Sequence, residues 1–557
     1  MKKNNQLNLY FDENIHSKKN NKYLDNRINI IILVFLILSL LTVSKLFLIG
    51  FEKKEFHINE INFDENIKRR AIVDHNNNVL AQSIKTHDLL IRTKRIRNFA
   101  NLNLKLRLQF PDIDLKKIKN FNERTFHIIK KNLSSAEYNK ALNLGEPSIE
   151  LVRNEIRIYP NKNLFSHIIG NVDIDQQGVS GLELYLNDEI LDEEKINEPI
   201  VLSVNQNIQF IVRETLNKNV KLFKAKGASA VLINAQNGKI LSMVSLPDFN
   251  PNDRKQLFYK DHLFNKNTKG LYELGSVFKT FVIANALDAG TVTRYKLYKN
   301  LPSHVYCGKH KIEEYKYSKD KKNLTVNDIL VESSNIGAIR LIQSSGLKNY
   351  QNFLKKLEIF SYSNIELPEV SSPSKKRWGK CRTLTAGFGH GINTTPLQLT
   401  RAFASIINGG NLLDATLLEH KDINLKSKVL SNSNSEIMRK ILRSNVDTKY
   451  KRAGSGRKAD IQGYNVMGKT GTAEKPLNTT KGYSNEILNV FTSAFEVDKK
   501  FYVLTVLIDE PKGSKKLWGH NRREAGWNAG YINGQIIKKI GPILNTLKVK
   551  KYVKFNK

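Results

Sequence analysis

The chain has 557 residues, with 89 Lys and Arg against 53 Asp and Glu and a formal net charge of +36. That length allows several domains and ample core. So basic a chain raises nucleic acid as a partner, but no zinc-finger, K-homology or RNA-recognition motif accompanies the charge, and that class is set aside. Lys, Asn and Ile are frequent throughout. The charge therefore reads as a chain-wide bias on solvated surface, suited at most to anionic lipid headgroups and lipid-linked phosphates.

Residues 1–27 are polar without apolar periodicity and predict a disordered tail. Lys18, Lys19, Lys22 and Arg27 stand before an apolar run from Ile28 to Val43, which resumes after Lys45 as Leu46 to Phe51. A lysine near a membrane face can snorkel, so 28–51 predicts a single transmembrane anchor. Basic residues on the N-terminal side keep that end in the cytoplasm and put everything after Phe51 outside it. A cleaved signal peptide is the rival, but the run is long for one and carries no A-x-A site.

From 52 to 205 the reading is mixed. Ala71–Val73 and Leu89–Arg92 predict short strands, and Asp112–Leu144 predicts a largely helical, charged stretch. No catalytic constellation falls here. Gln206–Asn217 predicts a helix opening a second domain, 206–547. Ala228–Asn234 and Lys239–Ser245 read as a hairpin around Asn237-Gly238. Tyr502–Ile508 predicts a further strand. Strands at both ends with helices between predict an α+β domain, an antiparallel sheet flanked by helices. Residues 548–557 predict a frayed basic tail. The two cysteines, Cys307 and Cys381, permit a disulfide in a secreted setting, yet two free thiols also fit and carry the greater weight.

Chemistry concentrates in three places. Ser276 and Lys279 stand three residues apart at the head of an apolar helical run, Val277 to Ala289, that stops at Gly290. Three residues put both side chains on one helical face. A serine is a poor nucleophile until a base takes its proton, and a lysine sunk in an apolar helix can serve, because desolvation disfavours its charge. Alone this pair is weak, since a capping serine beside a snorkelling lysine looks the same. Ser333-Ser334-Asn335 and Lys469-Thr470-Gly471-Thr472 follow in the order that serine acyl-transfer sites of penicillin-recognising enzymes use.

The chain resembles the class B penicillin-binding proteins, monofunctional peptidoglycan D,D-transpeptidases. Besides the three motifs, Gly387-Phe388-Gly389-His390-Gly391 with Thr395-Pro396-Leu397-Gln398-Leu399 is similar to that family's G-x-G…TPLQL segment. Arg70-Ala71-Ile72-Val73-Asp74 resembles its opening after the membrane anchor, and Gly178 to Glu183 its G-x-x-G-L-E turn. Leu274 stands where many relatives have Pro, and Trp518–Gly530 matches the family poorly. Neither departure is expected to touch the three motifs.

The resemblance implies roles. Ser276 attacks the carbonyl between two terminal D-alanines, with Lys279 as base. Ser333 relays protons to the leaving amine, Lys469 supplies positive potential, and Asn335 holds the substrate's amide. Thr470 and Thr472 contact the substrate carboxylate along the Lys469–Thr472 strand, Gly471 included, and the N–H groups of Ser276 and Thr472 form an oxyanion hole. Which lysine is the resting base is left open. No cofactor or metal is expected.

The resemblance makes 52–205 an elongated pedestal and β-lactams inhibitors. Without a glycan-polymerising motif, it implies a partner that supplies strands, a lipid II polymerase of the shape, elongation, division and sporulation family. The TPLQL wording and modest length favour the division branch over the elongation branch. A β-lactamase, a D,D-carboxypeptidase and a penicillin-sensing scaffold are the rivals. The expected location is the cell inner membrane with the catalytic domain in the periplasm.

Overall fold

The computed structural model describes residues 21–51, 69–118, 121, 123–315, 322–373, 378–476 and 482–546. The chain divides into two units, Met1–Asn66 and Ile67–Lys557. In the first unit helix α1 spans Asn21–Phe51. It begins ahead of Ile28, so residues 21–27 of the expected disordered tail are helical. Extending a nucleated helix through polar residues costs little. The described side chains of α1, from 29 to 45, are exposed except Ser39, which is half-buried. Among the described residues no helix is long and apolar enough to cross a membrane. The remainder of the expected tail, 1–20, the start of the expected pedestal, 52–68, and the basic tail 548–557 lie outside the described residues.

In the second unit, strand β1 (Val79–Arg92) and strand β2 (Ile149–Ile158) pair antiparallel from Gln82 opposite Ile158 to Ile91 opposite Ile149. The other side of β1 takes a strand at Phe126–Lys130. This corrects the largely helical reading of Asp112–Leu144, in which, among the described residues, only Ser135–Leu142 is α-helical, after a 3-10 turn at Leu115–Lys117. Pairing with the edge at Leu89–Arg92 outweighs local helix preference, as strand formation depends on its neighbours. Ile72–Val73 runs parallel to Ile200–Val201. The fully buried Asp74 beside it accepts from the N–H groups of Asn76 and Asn78, both at 2.8 Å, and of Gln206 at 2.9 Å. A carboxylate there satisfies free N–H groups where helix α2, Gln206–Leu222, begins.

Strands β3 (Gly227–Asn234) and β4 (Ile240–Leu246) form the expected hairpin, turned at Gly238 with φ +74°. Helix α3 is Lys279–Asp288, followed by α4 (Asn335–Ser345), α5 (Lys380–Ala386) and α6 (Pro396–Ile407). Strands β5 (Met467–Pro476), β6 (Tyr483–Val497) and β7 (Lys500–Asp509) precede helix α7 (Ala529–Thr546). The sheet order is β5-β6-β7-β3-β4, antiparallel throughout.

The run Tyr502–Ile508 is apolar almost without interruption because both faces of β7 are covered. Tyr502, Leu504, Val506 and Ile508 share a core with Ile208 and Val212 of α2 and Ile532 and Ile536 of α7. Val503 and Leu507, pointing the other way, share a core with Phe281 and Ile283 of α3 and Phe403 of α6. Helices on both faces of an antiparallel sheet make the α+β domain that the pattern predicts. Helix α3, buried from Lys279 to Leu287, lies in the core and is followed by Gly290 at φ +66°.

Cys307 and Cys381 are disulfide-bonded, with Cα atoms 5.6 Å apart. The preference for free thiols is thereby overturned. Nothing local marks residues 74 apart as partners; the fold brings them within bonding reach. The bond joins the hairpin His304–Cys307/His310–Glu313 to α5.

Candidate active site

Three glycines let three backbones converge at Ser276, the expected nucleophile. Gly275 holds φ +62°, a conformation that favours glycine. A methyl group on it would sit 2.7 Å from the Thr472 carbonyl oxygen. One on Gly389 would come within 2.2 Å of the Gly275 oxygen, and one on Gly471 within 2.0 Å of the Leu274 oxygen. Leu274 itself is fully buried at φ −100°, outside the range a proline ring would impose. The departure at Leu274 is therefore a different turn into the site. Gly471, expected to touch substrate, is buried, and its lack of a side chain lets the Leu274 carbonyl approach this closely.

Ser276 lies in a 3-10 turn, Gly275–Phe278, ahead of α3. Lys279 opens α3, is 1 % exposed, and donates from Nζ to Ser276 Oγ at 2.8 Å. The same amine reaches the Ser333 carbonyl at 2.7 Å, Ser333 Oγ at 3.1 Å and Asn335 Oδ1 at 2.8 Å. Lys469, wholly buried on β5, donates to Ser333 Oγ at 3.1 Å and to the Thr470 carbonyl at 3.3 Å. Ser333 Oγ thus lies between two amines. Ser333 sits at φ +54°, a conformation that L-residues hold only where their surroundings over-determine it.

The surroundings here include a residue that sequence reasoning missed. Glu314, buried just after the His310–Glu313 strand, accepts from the N–H groups of Asn335 and Ile336, both at 3.0 Å, and from the Ser334 hydroxyl. Ser334 Oγ in turn caps α4 by accepting from Gly337 N. A carboxylate at a helix start complements its free donors and dipole. Asn335 has both ends of its amide engaged, Oδ1 by Lys279 and Nδ2 by the Glu313 carbonyl at 2.9 Å. Contact with a substrate amide would have to use its remaining N–H and lone pair.

These residues face a cavity of about 830 Å³ lined by Ser276, Ser333, Asn335, Thr470 and Thr472. Thr470 is hydrogen-bonded to Ser455, also on the wall and also unforeseen. The segment expected to stay clear of the motifs does not. Ala525 N donates to Thr472 Oγ1 at 3.1 Å, and Arg522, Arg523 and Glu524 line the cavity. Contacts between β5 and a segment some fifty residues on leave no trace in local pattern. Glu273, His390 and Tyr483 line it too. Burial, the largest cause, raises the Glu273 carboxyl above its ordinary range, and burial with the neighbouring Glu273 pushes Tyr483 up to about 12. Among the described residues no cluster of three or more His, Cys, Asp or Glu is placed to hold a metal.

A serine hydroxyl bonded to a buried lysine, with a second serine shared between that lysine and another, defines a serine acyl-transfer centre of the penicillin-recognising class. Residues 228–526 match the penicillin binding protein transpeptidase domain, and residues 64–219 the penicillin-binding protein dimerisation domain. The chain belongs to the penicillin-binding protein transpeptidase family. It is an acyl-transfer enzyme. It is 29% identical over 487 residues to the probable peptidoglycan D,D-transpeptidase FtsI of Caulobacter vibrioides, covering 86% of this chain and 81% of the relative. It is also 29% identical over 554 residues to the peptidoglycan D,D-transpeptidase FtsI of Buchnera aphidicola subsp. Baizongia pistaciae, covering 91% and 94%. The FtsI of Escherichia coli is 27% identical over 414 residues, covering 70% and 68%.

Proposed function

We propose that this enzyme cross-links the stem peptides of septal peptidoglycan, through an ester on Ser276 and with release of D-Ala. The observation that carries the reading is the 2.8 Å bond from Lys279 Nζ to Ser276 Oγ, set beside a second lysine on the shared Ser333. Lys279 takes the serine proton as Oγ attacks the carbonyl between the two D-alanines. The oxyanion is received by the N–H groups of Ser276 and Thr472, which the glycine contacts at Gly275 bring together. Ser333 hands a proton to the departing D-Ala amine while Lys469 holds positive potential behind it. An amine from a neighbouring stem peptide then takes the acyl group. Thr470 and Thr472, on the cavity wall, receive the substrate's terminal carboxylate.

The division role rests on the likeness to relatives named FtsI. The apolar run 28–51, preceded by basic residues, supports a single inner-membrane anchor with the catalytic domain in the periplasm. A transpeptidase needs fresh glycan strands, so a lipid II polymerase is the expected partner, with the anchor and the domain before Gln206 as docking surfaces. The decisive experiment is mass spectrometry of the full-length protein after benzylpenicillin. A single adduct on Ser276, absent from Ser276→Ala, is expected; an adduct elsewhere overturns the assignment.

A further inference from the structure

One wall of the Ser276 cavity is given no part in the acylation proposed above. Glu273, three residues before the nucleophile, is joined to His390 and Tyr483 on the same cavity. The Tyr483 hydroxyl lies 3.3 Å from both Glu273 carboxylate oxygens and 3.3 Å from His390 Nε2. His390 Nδ1 is 3.6 Å from Glu273 Oε2. Gly391 N donates to Glu273 Oε1 at 3.0 Å, which fixes the carboxylate while leaving it acceptor positions for a further donor. The Glu273 side chain is only 11 % exposed and His390 is 48 % exposed, so the carboxylate forms the floor of the pocket and the imidazole its rim. The packing of Gly389 on Gly275 holds this wall against the turn that carries Ser276.

Resting on the transpeptidase reading, we propose that Glu273, His390 and Tyr483 form the acceptor subsite, which binds the primary ammonium of the second stem peptide and takes its proton. A carboxylate backed by a phenol and an imidazole suits a cation that must become a neutral nucleophile. Arg522 and Arg523, also on the cavity, offer the opposite charge and suit carboxylates. The ammonium gives one proton to Glu273, and the neutral nitrogen attacks the ester carbon on Ser276. The C–N bond forms and the C–Oγ bond breaks. The nitrogen's second proton passes to Ser276 Oγ through Lys279, and Glu273 returns its proton to water. The charged and titratable groups around Glu273 are His390, Tyr483 and Arg382, with Glu474 acting on Tyr483. A carboxyl raised by burial is better matched to this proton transfer than an exposed one.

The test is product partition in the full-length protein in detergent. The donor is N-benzoyl-D-alanyl thioglycolate and the acceptor is Nα-acetyl-lysine, and both amide and acid products are measured. In Glu273→Gln, which keeps an oxygen for Gly391 N, the amide-to-acid ratio should fall on the order of 10²-fold. Its dependence on acidic pH should also disappear. Tyr483→Phe should lower the ratio less, and it carries the test if Glu273→Gln does not fold. A parent that makes amide alongside a Glu273→Gln, or failing that a Tyr483→Phe, of equal ratio overturns the acceptor subsite alone. A parent that makes acid and no amide at any lysine concentration overturns the transpeptidase reading, and the subsite with it.

Discussion

Two regions bury basic side chains in opposite ways. Before the catalytic domain, Arg69 and Arg157 close on Glu183 at 2.7 Å each, with all three side chains fully buried. Arg157 also donates to the Arg69 and Arg70 carbonyls. In the active site Lys279 and Lys469 are equally buried, but the contacts described above are to hydroxyl, carbonyl and amide oxygens. An arginine keeps its charge in any protein setting, so burying one demands a carboxylate. A buried lysine, unlike an arginine, is able to shed its proton, which the proposed general base requires. The first cluster fastens the chain, and in the proposed mechanism the second activates a serine.

The sharpest way to break this contrast is to remove one member from each side. Lys279→Ala should slow acylation of Ser276 by benzylpenicillin by about 10²–10⁴-fold, as loss of a general base does. Time-resolved mass spectrometry of the adduct reads this, and near-parental acylation would remove Lys279 from the mechanism. Glu183→Ala should do the reverse, leaving two buried guanidinium groups uncompensated at a cost of roughly 3–5 kcal/mol. Denaturant titration should show the loss, while the fraction still folded acylates as the parent does. A variant as stable as the parent would mean that Glu183 is no rivet.

The disulfide sharpens the contrast, because it fastens the active-site side covalently. Cys307→Ser should destabilise the protein by about 2–4 kcal/mol, and reductant should lower the melting temperature of the parent but not of the variant. Glu314 rides on the same hairpin, so the site should loosen before the sheet does. Equal melting with and without reductant would contradict this.

His167 shows a third way to bury a base, by keeping it neutral. It is bonded to the His262 carbonyl, and burial lowers its pKa from 6.5 to about 4. Below pH 6.5 the unfolded chain takes up a proton that the folded chain refuses until about pH 4. Stability should therefore fall on acidification, by about 2 kcal/mol between pH 7 and pH 5. His167→Gln should flatten that part of the melting-temperature profile, and an unchanged profile would place the acid sensitivity elsewhere.

Much of the site was legible because its chemistry is local. Ser276 and Lys279 are set by helical spacing, the hairpin by Asn237-Gly238, and the sheet's centre by the apolar run of β7. Their order along the chain named the family. Glu314, Ser455 and the Arg522–Gly526 segment were not legible, since each meets the motifs only across long sequence distances. The strand at Phe126–Lys130 was misread for the same reason, its partner being Leu89–Arg92.

By itself, then, the sequence determined which candidate groups the chain carries and in what order, because a serine, a lysine three residues on and the motif glycines are properties of residue type and spacing. Only the tertiary structure decided which of them meet. It put Ser333 between two lysines, bonded Cys307 to Cys381, brought the Leu274 carbonyl onto Gly471, and set Glu273 beside His390 and Tyr483. The physical reason is range. Helical spacing acts over three or four residues, whereas burial and hydrogen bonding act between whatever surfaces the packed core brings into contact.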